Sequence, residues 1–438
     1  MNRLSLIVST LFLAVLAALP ARAEVDIQEV TSPGGLKAWL VEEHSLPFMA
    51  LEIRFRGGAS LDAPGKRGAT NLMAALIEEG AGDLDARGFA EARDGLAASF
   101  RFDVHDDALT VSARFLSENR DEAVALLRTA LTAPRFDPDA IDRVRGQVLS
   151  SLQSRATDPM DILGEAADRL AFGDHPYGSY QGGTPDSVAA LTRDDIVAAF
   201  DGAVARDRIY LGAVGDITAE ELGMLLDELF ADLPETGAPI PEPVPFGLPE
   251  GGVTVVPFDT PQSVARFAHR GITRDDDDFF AAYVLNEILG GGGFNSRLMD
   301  EVREKRGLTY GIATYLVAKD LSEYVVGQVS SQNATMGEVV NVVRAEWEKI
   351  ATEGVTAEEL EGAQTYLTGA YPLRFDGNGP IARILVSMQM EGLGIDYIAT
   401  RNDKVRAITL EEINRVAARI YDPEALHFVI VGQPEGVE

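Results

Sequence analysis

The chain has 438 residues, a formal charge of −31 and no cysteine, and 46% of its residues are hydrophobic. So acidic a protein excludes nucleic acid and anionic membrane surfaces as partners and leaves basic or neutral polypeptides open. The missing cysteine removes disulfides, thiolate metal sites and lipid attachment at a processed cysteine.

The first segment reads as an export signal. Arg3 supplies a positive start, Leu4 to Leu19 is almost wholly apolar, and Ala21-Arg22-Ala23 is a small-x-small cleavage site. The apolar run is short for a membrane span, and no second stretch of spanning length follows. A signal peptide over residues 1–23 is therefore expected, with a mature chain from Glu24 in the periplasm of a Gram-negative cell. Its removal takes away Arg3 and Arg22 and no acid, which moves the formal charge from −31 to −33.

Beyond it, β-branched and alternating stretches predict strands at Lys37–Val41 and Met49–Arg56. Helices are expected at Gly68–Glu79, Arg87–Asp94, Arg120–Leu131 and Asp139–Arg155, the last opened by Asp137 as N-cap and Pro138 as its first residue. Strands are expected again at Ala108–Phe115 and Arg208–Val214. Leu233 to Gly252 then holds six of the 21 prolines. Such a segment is extended and excludes a central strand or helix, so it divides an N-terminal domain (24–232) from a C-terminal one (253–438). The second begins with strand-like runs at Val253–Phe258 and Val264–His269 and an apolar helix at Phe279–Leu289.

The halves look like copies. LTRDDI at Leu191 matches ITLEEI at Ile408, and YLGAVGD at Tyr210 matches HFVIVGQ at His427, both at an offset of 217. FDPDAI at Phe136 matches VTAEEL at Val355 at an offset of 219. Strand pairs mixed with helices, met twice, predict an α+β sandwich duplicated once.

Two segments carry the chemistry. In GATNLMAALIEEG (Gly68–Gly80), Asn71, Ala74 and Ala75 share one helical face. In GGGGFNSRLMDEVREKRGLTY, the glycines Gly290, Gly291, Gly292 and Gly293 free the backbone to turn and to approach another chain closely. Arg303 and Tyr310 follow, with Gly307 between them. Of the five His, no two stand at helical ligand spacing. His105, in an acidic run, reads as a solvated loop residue.

These segments resemble the pitrilysin/insulinase-type metallopeptidases, the inverzincins, and most nearly their bacterial branch similar to the mitochondrial processing peptidase. The resemblance includes Arg56-Gly57-Gly58, HPYG at His175 and the Val-Gly strand ends at Gly215 and Gly432. The family motif is H-x-x-E-H, two zinc-binding His with a Glu that activates water. Its positions fall here on Asn71, Ala74 and Ala75. The third family ligand, a Glu about 76 residues beyond the second His, falls on Ser151, and a supporting Glu falls on Val144. None of these side chains offers a zinc donor, so no metal or other cofactor is expected in this chain.

The family's Arg/Tyr pair, matched by Arg303 and Tyr310, faces the zinc across a closed chamber and stabilises the developing oxyanion. The resemblance implies two similar α+β domains forming half of a clamshell. It also implies a homologous zinc-bearing peptidase subunit as partner and a peptide substrate that adds to a sheet edge, here Ala98–Asp103. The expectation is a non-catalytic subunit of a periplasmic zinc-peptidase heterodimer, not an enzyme on its own. The alternatives are a catalytically dead peptide-binding or scaffold protein acting as a homodimer, and a peptidase with an unconventional metal site.

Overall fold

The computed structural model describes residues 25–249 and 251–437; the expected signal peptide lies outside the described residues. Strands β1 (Gln28–Thr31), β2 (Lys37–Glu42), β3 (Phe48–Arg56), β4 (Gly80–Ala81), β5 (Leu84–Asp85), β6 (Ser99–Val104), β7 (Ala108–Leu116) and β8 (Ile209–Gly215) belong to the first half. Its helices are α1 (Ala69–Leu76), α2 (Ala86–Gly95), α3 (Arg120–Thr132), α4 (Pro138–Arg155), α5 (Pro159–Phe172), α6 (Pro185–Ala190), α7 (Arg193–Ala203) and α8 (Ala219–Phe230). The second half has strands β9 (Val253–Pro257), β10 (Gln262–Arg270), β11 (Ile312–Ala318), β12 (Glu323–Gln332) and β13 (His427–Gly432). Its helices are α9 (Phe279–Asn286), α10 (Met336–Glu353), α11 (Ala357–Ala370), α12 (Asn378–Met390), α13 (Tyr397–Ala407) and α14 (Leu410–Ile420).

The duplication holds strand by strand. The first sheet runs β1-β2-β8-β3-β7-β6 and the second β9-β13-β10-β12-β11. With β1 set aside, the orders are identical. The directions agree as well: β2–β8 and β9–β13 are parallel, and every other pair is antiparallel. Gly215 and Gly432 end the matching strands β8 and β13 at φ 136° and 143°. A Cβ on either would lie within 3 Å of the neighbouring strand, so both positions need glycine.

Period-2 alternation divides the two faces of each sheet. Met49, Leu51, Ile53 and Phe55 of β3 point into a core shared with α1, α3, α4 and α8. The other face of β3 carries Ala50, Glu52 and Arg54. It is covered by a helix from the opposite half: Ala382, Leu385 and Met388 of α12 pack on Trp39, Ala50 and Val214. The reciprocal contact is made by α5, whose Leu163 and Ala167 pack on Val264, Val429 and Val431 of the second sheet. α5 and α12 begin 219 residues apart, the offset read from the sequence. Each is therefore the same element of the repeat, and each covers the other copy's sheet.

Close approach makes this possible, because a Cβ on Gly212 of β8 would stand 2.8 Å from the Ala382 carbonyl oxygen. Between Phe230 and Val253 no helix or strand forms among the described residues, as the prolines dictate. The connector is nonetheless tied down. Val244 N–H donates to the Leu321 carbonyl at 2.8 Å, and Phe246 stacks on Tyr324 at 4.8 Å between ring centroids.

The exchange predicts unfolding of both halves in one transition. Leu163→Ala and Leu385→Ala each remove a fully buried side chain, at a cost of about 2–5 kcal/mol. Calorimetry should show a single peak in the wild type and in both variants, shifted down in the variants. Two separated peaks would mean that each sheet is stable without its borrowed helix.

Candidate functional site

α1 starts after Gly68, which sits in the left-handed region at φ 94°. Asp62 anchors this end: its carboxylate accepts from Gly68 N, Thr70 N and Thr70 Oγ1 at 2.8, 2.8 and 2.7 Å. The expected helix over Gly68–Glu79 is shorter, ending at Leu76, because Gly80 opens the small β4–β5 hairpin. Asn71 is half-buried, Ala74 is buried and Ala75 is exposed. Ser151 is exposed on α4, and Val144 faces the core of the first half. An amide, two methyls and a hydroxyl stand where zinc donors would be needed, so the residues do not fit that metal. Among the described residues no group of three or more His, Cys, Asp or Glu is placed to hold a metal ion.

The acids nearest this frame are engaged elsewhere. Glu78 lies one turn beyond Ala74 and pairs with Arg93 of α2 at 2.9 Å. Burial pushes its pKa up, with Arg93 opposing. Glu79 pairs with Arg143 of α4. Neither ion pair is legible in the sequence, where the partners stand 15 and 64 residues apart. They link the end of α1 to its two neighbouring helices.

In the second half, α9 stops at Asn286 and a π-helical turn, Glu287–Gly291, follows where the sequence predicted helix to Leu289. The glycine run is mostly a packing device within the chain. A Cβ on Gly290 would fall 2.5 Å from Thr314 Oγ1, one on Gly291 2.8 Å from Asn286 Nδ2, and one on Gly292 2.8 Å from the Glu287 carbonyl. Only Gly293, at φ 56°, has open space around it. The run thus seals part of the β11 edge, where Asn286 Nδ2 donates to the Thr314 carbonyl at 3.2 Å.

Arg303 closes a second π-helical turn, Met299–Glu304. Its guanidinium donates to Glu304 at 2.9 Å and lies 4.6 Å over the ring of exposed Phe294. Thr309 fixes the approach to β11 by donating to the Ser330 carbonyl at 2.7 Å, and Tyr310 projects into solvent, 89% exposed. β11 itself starts at Ile312.

The equivalent edge of the first sheet is more open. His105 N–H donates to the Ala108 carbonyl and closes the β6–β7 hairpin, so by alternation the main-chain groups of Phe100, Phe102 and Val104 face outward. The Val104 carbonyl accepts from Gln181 Nε2 at 2.9 Å. This strand is the edge expected at Ala98–Asp103, one residue later. Beside it lies a cavity of about 1060 Å³ over the polar face of β3, β7 and β6, walled by α12. His105 is exposed at its rim, and His175 is an internal cap whose Nδ1 accepts from Tyr177 N at 3.1 Å.

Residues 38–184 match the insulinase (peptidase family M16) sequence profile, and residues 190–367 match that of the peptidase M16 inactive domain. The chain belongs to peptidase family M16. It is 27% identical over 424 residues to the non-peptidase homologue YmxG of Helicobacter pylori, covering 96% of this chain and 97% of that protein. It is 24% identical over 404 residues to an uncharacterised zinc protease of Streptomyces coelicolor, covering 89% and 86%. Among solved structures, a peptidase M16 inactive domain from Pseudomonas fluorescens superimposes with a TM-score of 0.87 at 26% identity, over 94% of this chain and 100% of that one. A protease from Helicobacter pylori shares the fold with a TM-score of 0.81 at 17% identity, over 93% and 99%. The chain thus matches both the insulinase and the inactive-domain profiles of the family, with the motif positions occupied as described.

In this M16 chain one titratable group at the junction of the halves stands out. Asp320, paired with Arg56 at 3.0 Å, has its pKa pushed up to about 6 by burial, with Asp107 and Glu391 adding and Arg56 opposing. The native state then keeps a proton that the unfolded chain, with its carboxyl near 3.9, has lost. Between about pH 4 and pH 6 this group makes stability fall as pH rises. The stability of Asp320→Asn measured against wild type by urea unfolding should therefore improve across that window and level off above it. A constant difference from pH 4 to pH 7 would mean that Asp320 titrates normally.

Proposed function

We propose that this chain is the zinc-free subunit of a periplasmic M16 peptidase heterodimer. It supplies Arg303, Tyr310 and a wall of the chamber, and a homologous partner supplies zinc and the general base. One observation carries the reading: a tyrosine exposed to solvent, seven residues after an arginine, in a chain whose described residues include no group placed to hold a metal ion. A side chain 89% exposed makes no contribution to this protein's core, so a role for Tyr310 requires a second surface.

Against a peptide held at a partner's metal, the Tyr310 hydroxyl donates to the oxygen that gains charge as the tetrahedral intermediate forms. Arg303 holds a neighbouring carbonyl through its guanidinium donors. Its present partners, Glu304 and Phe294, are exposed and easily exchanged. Export is supported by the apolar run and the Ala21-Arg22-Ala23 order. Among the described residues no helix is long and apolar enough to cross a membrane.

The purified chain alone should hold no stoichiometric zinc and cleave no peptide. Reconstituted with a zinc-bearing paralogue from the same cell, it should restore peptidase activity. Arg303→Ala and Tyr310→Phe should then each lower kcat on the order of 10²–10³-fold while leaving the pair associated. Unchanged rates in both variants would reduce the pair to a structural role. One tightly bound zinc per isolated chain, with chelator-sensitive cleavage, would overturn the reading.

A second reading, a peptide-binding or scaffold protein acting as a homodimer, is favoured by the β6 edge and the cavity beside it.

A further inference from the structure

The cavity over the first sheet is polarised along its length. β3 and α12 run side by side in the same direction. Arg54 Nη1 donates to Ser387 Oγ at 2.9 Å, and Arg56 donates to the Met390 carbonyl. The start of α12 therefore lies level with Ala50, which pairs with Arg114 of β7, which in turn pairs with Ser99 of β6. The end of α12 lies level with Arg56 and the β6–β7 turn.

At the first end the surplus charge is positive. Arg114 and Arg383 line the cavity there, and Arg101 lines it two residues along β6 from Ser99; all three are exposed and have no carboxylate within salt-bridge distance among the described residues. The carboxylate near them, Glu52, is engaged by Arg54 at 3.6 Å and accepts from Ser112 at 2.6 Å. α12 has no capping side chain. The side chain of Asn378, 6% exposed, lines the same end, and its amide nitrogen lacks a hydrogen-bond partner among the described residues.

At the other end the surplus is negative. Lys319 matches Asp106 at 2.5 Å, Arg56 matches Asp320 at 3.0 Å, and Arg274 matches Glu391 at 3.0 Å. Among the described residues Asp103 and Asp107 have no cation within salt-bridge distance, although Asp107 accepts from the Tyr177 hydroxyl and from Asp320 N. Between the ends, β7 offers a polar floor of Thr110 and Ser112, and the unpaired main chain of Phe100 and Phe102 runs alongside.

We propose that this groove selects short extended peptides by the charges at their ends. A carboxyl terminus lies at Arg114, Arg383 and the start of α12, and an amino terminus or basic residue lies at Asp103 and Asp107. From Ala108 to Arg114 the floor spans roughly 20 Å at ~3.3 Å per residue, which sets the length at about seven residues. The charges also set the direction, because the peptide's carboxyl end must meet the surplus arginines. The peptide therefore runs opposite to β6, which proceeds from Ser99 at the basic end to Val104 at the acidic end. The inference rests on a peptide-handling role for the chain but makes no use of Arg303, Tyr310 or a partner's metal.

Calorimetric titration of the isolated full chain tests it. The probes are a seven-residue valine–serine peptide with an amino-terminal lysine and a free carboxylate, its carboxyl-amidated twin, and an acetylated amide with glutamate in place of the lysine. The free acid should bind about tenfold tighter than the amide, and the acetylated glutamate peptide weaker still. The preferences should shrink as salt is raised. Arg114→Gln combined with Arg383→Gln, both exposed and harmless to folding, should erase the acid-over-amide preference and leave affinity for the amide unchanged. Asp103→Asn should erase the lysine preference alone.

Equal binding of all three peptides would overturn charge selection while leaving a peptide-binding groove. Absence of binding at millimolar peptide would overturn the groove itself. Neither result touches the partner-supported reading, which is decided by the rates of the Arg303 and Tyr310 variants.

Discussion

Everything else in this structure depends on the exchange of α5 and α12. A mixed sheet with one face on its own helices still has a second face to cover, and here each copy covers the other's. The apolar patches involved are small: Trp39, Ala50 and Val214 on one sheet, and Val264, Val429 and Val431 on the other. Burial of one leucine into each contributes about 1.5–3 kcal/mol. That is modest beside the two main cores, but it sets how the halves are placed. The polar remainder of each outer face is left over. On the first sheet, α12 covers the β2–β8–β3 side, and the β7–β6 side stays open as the groove.

The history of the α1 site reads through its present packing. Asn71, Ala74, Ala75 and Ser151 place no charge at the family's motif positions, so none there needs a metal to neutralise it. The α1–α4 contact then needs another tether, and Glu79–Arg143 is one that tolerates solvent. Exposed pairs of this kind contribute little each, about 0–1 kcal/mol. The frame is held chiefly by Leu72, Met73 and Leu76 in the core and by the buried Asp62 anchor, none of which depends on a metal. A helix held by packing in this way keeps its shape without ligands.

Much of this was legible in the sequence because it is local or periodic. The proline-rich connector, the strands β2, β3, β7, β8, β9 and β10 and the offset of 217–219 residues all follow from pattern. Asp137 and Pro138 were placed correctly at the start of α4, but for a different reason: the Asp137 carboxylate turns back to Arg135 at 2.7 Å and does not cap the helix. The glycine run was misjudged as a freely turning loop. Its glycines answer to Thr314, Asn286 and Glu287, and only the first of these is remote in sequence, at the sheet edge. The helix exchange was illegible altogether. The stripe Leu163, Ala167, Ala171 announces that α5 buries one face and says nothing of which sheet receives it.

The two copies differ most where function is concentrated, at the free edges of their sheets. Sheet order places β6 and β11 at equivalent edges, and an edge strand with unpaired main chain invites another strand. In the second half Gly290 lies against Thr314, and Met299 Sδ lies 3.4 Å from Ile312 N, so the start of that edge is filled from within. In the first half Val104 is engaged by Gln181, and among the described residues the main chain of Phe100 and Phe102 has no partner on that side. Duplication supplied two edges of the same geometry. Covering one with a glycine run, and leaving the other beside a charged groove, gives a single chain two edges of different chemistry. The covered edge presents side chains outward, and the open edge presents its own backbone.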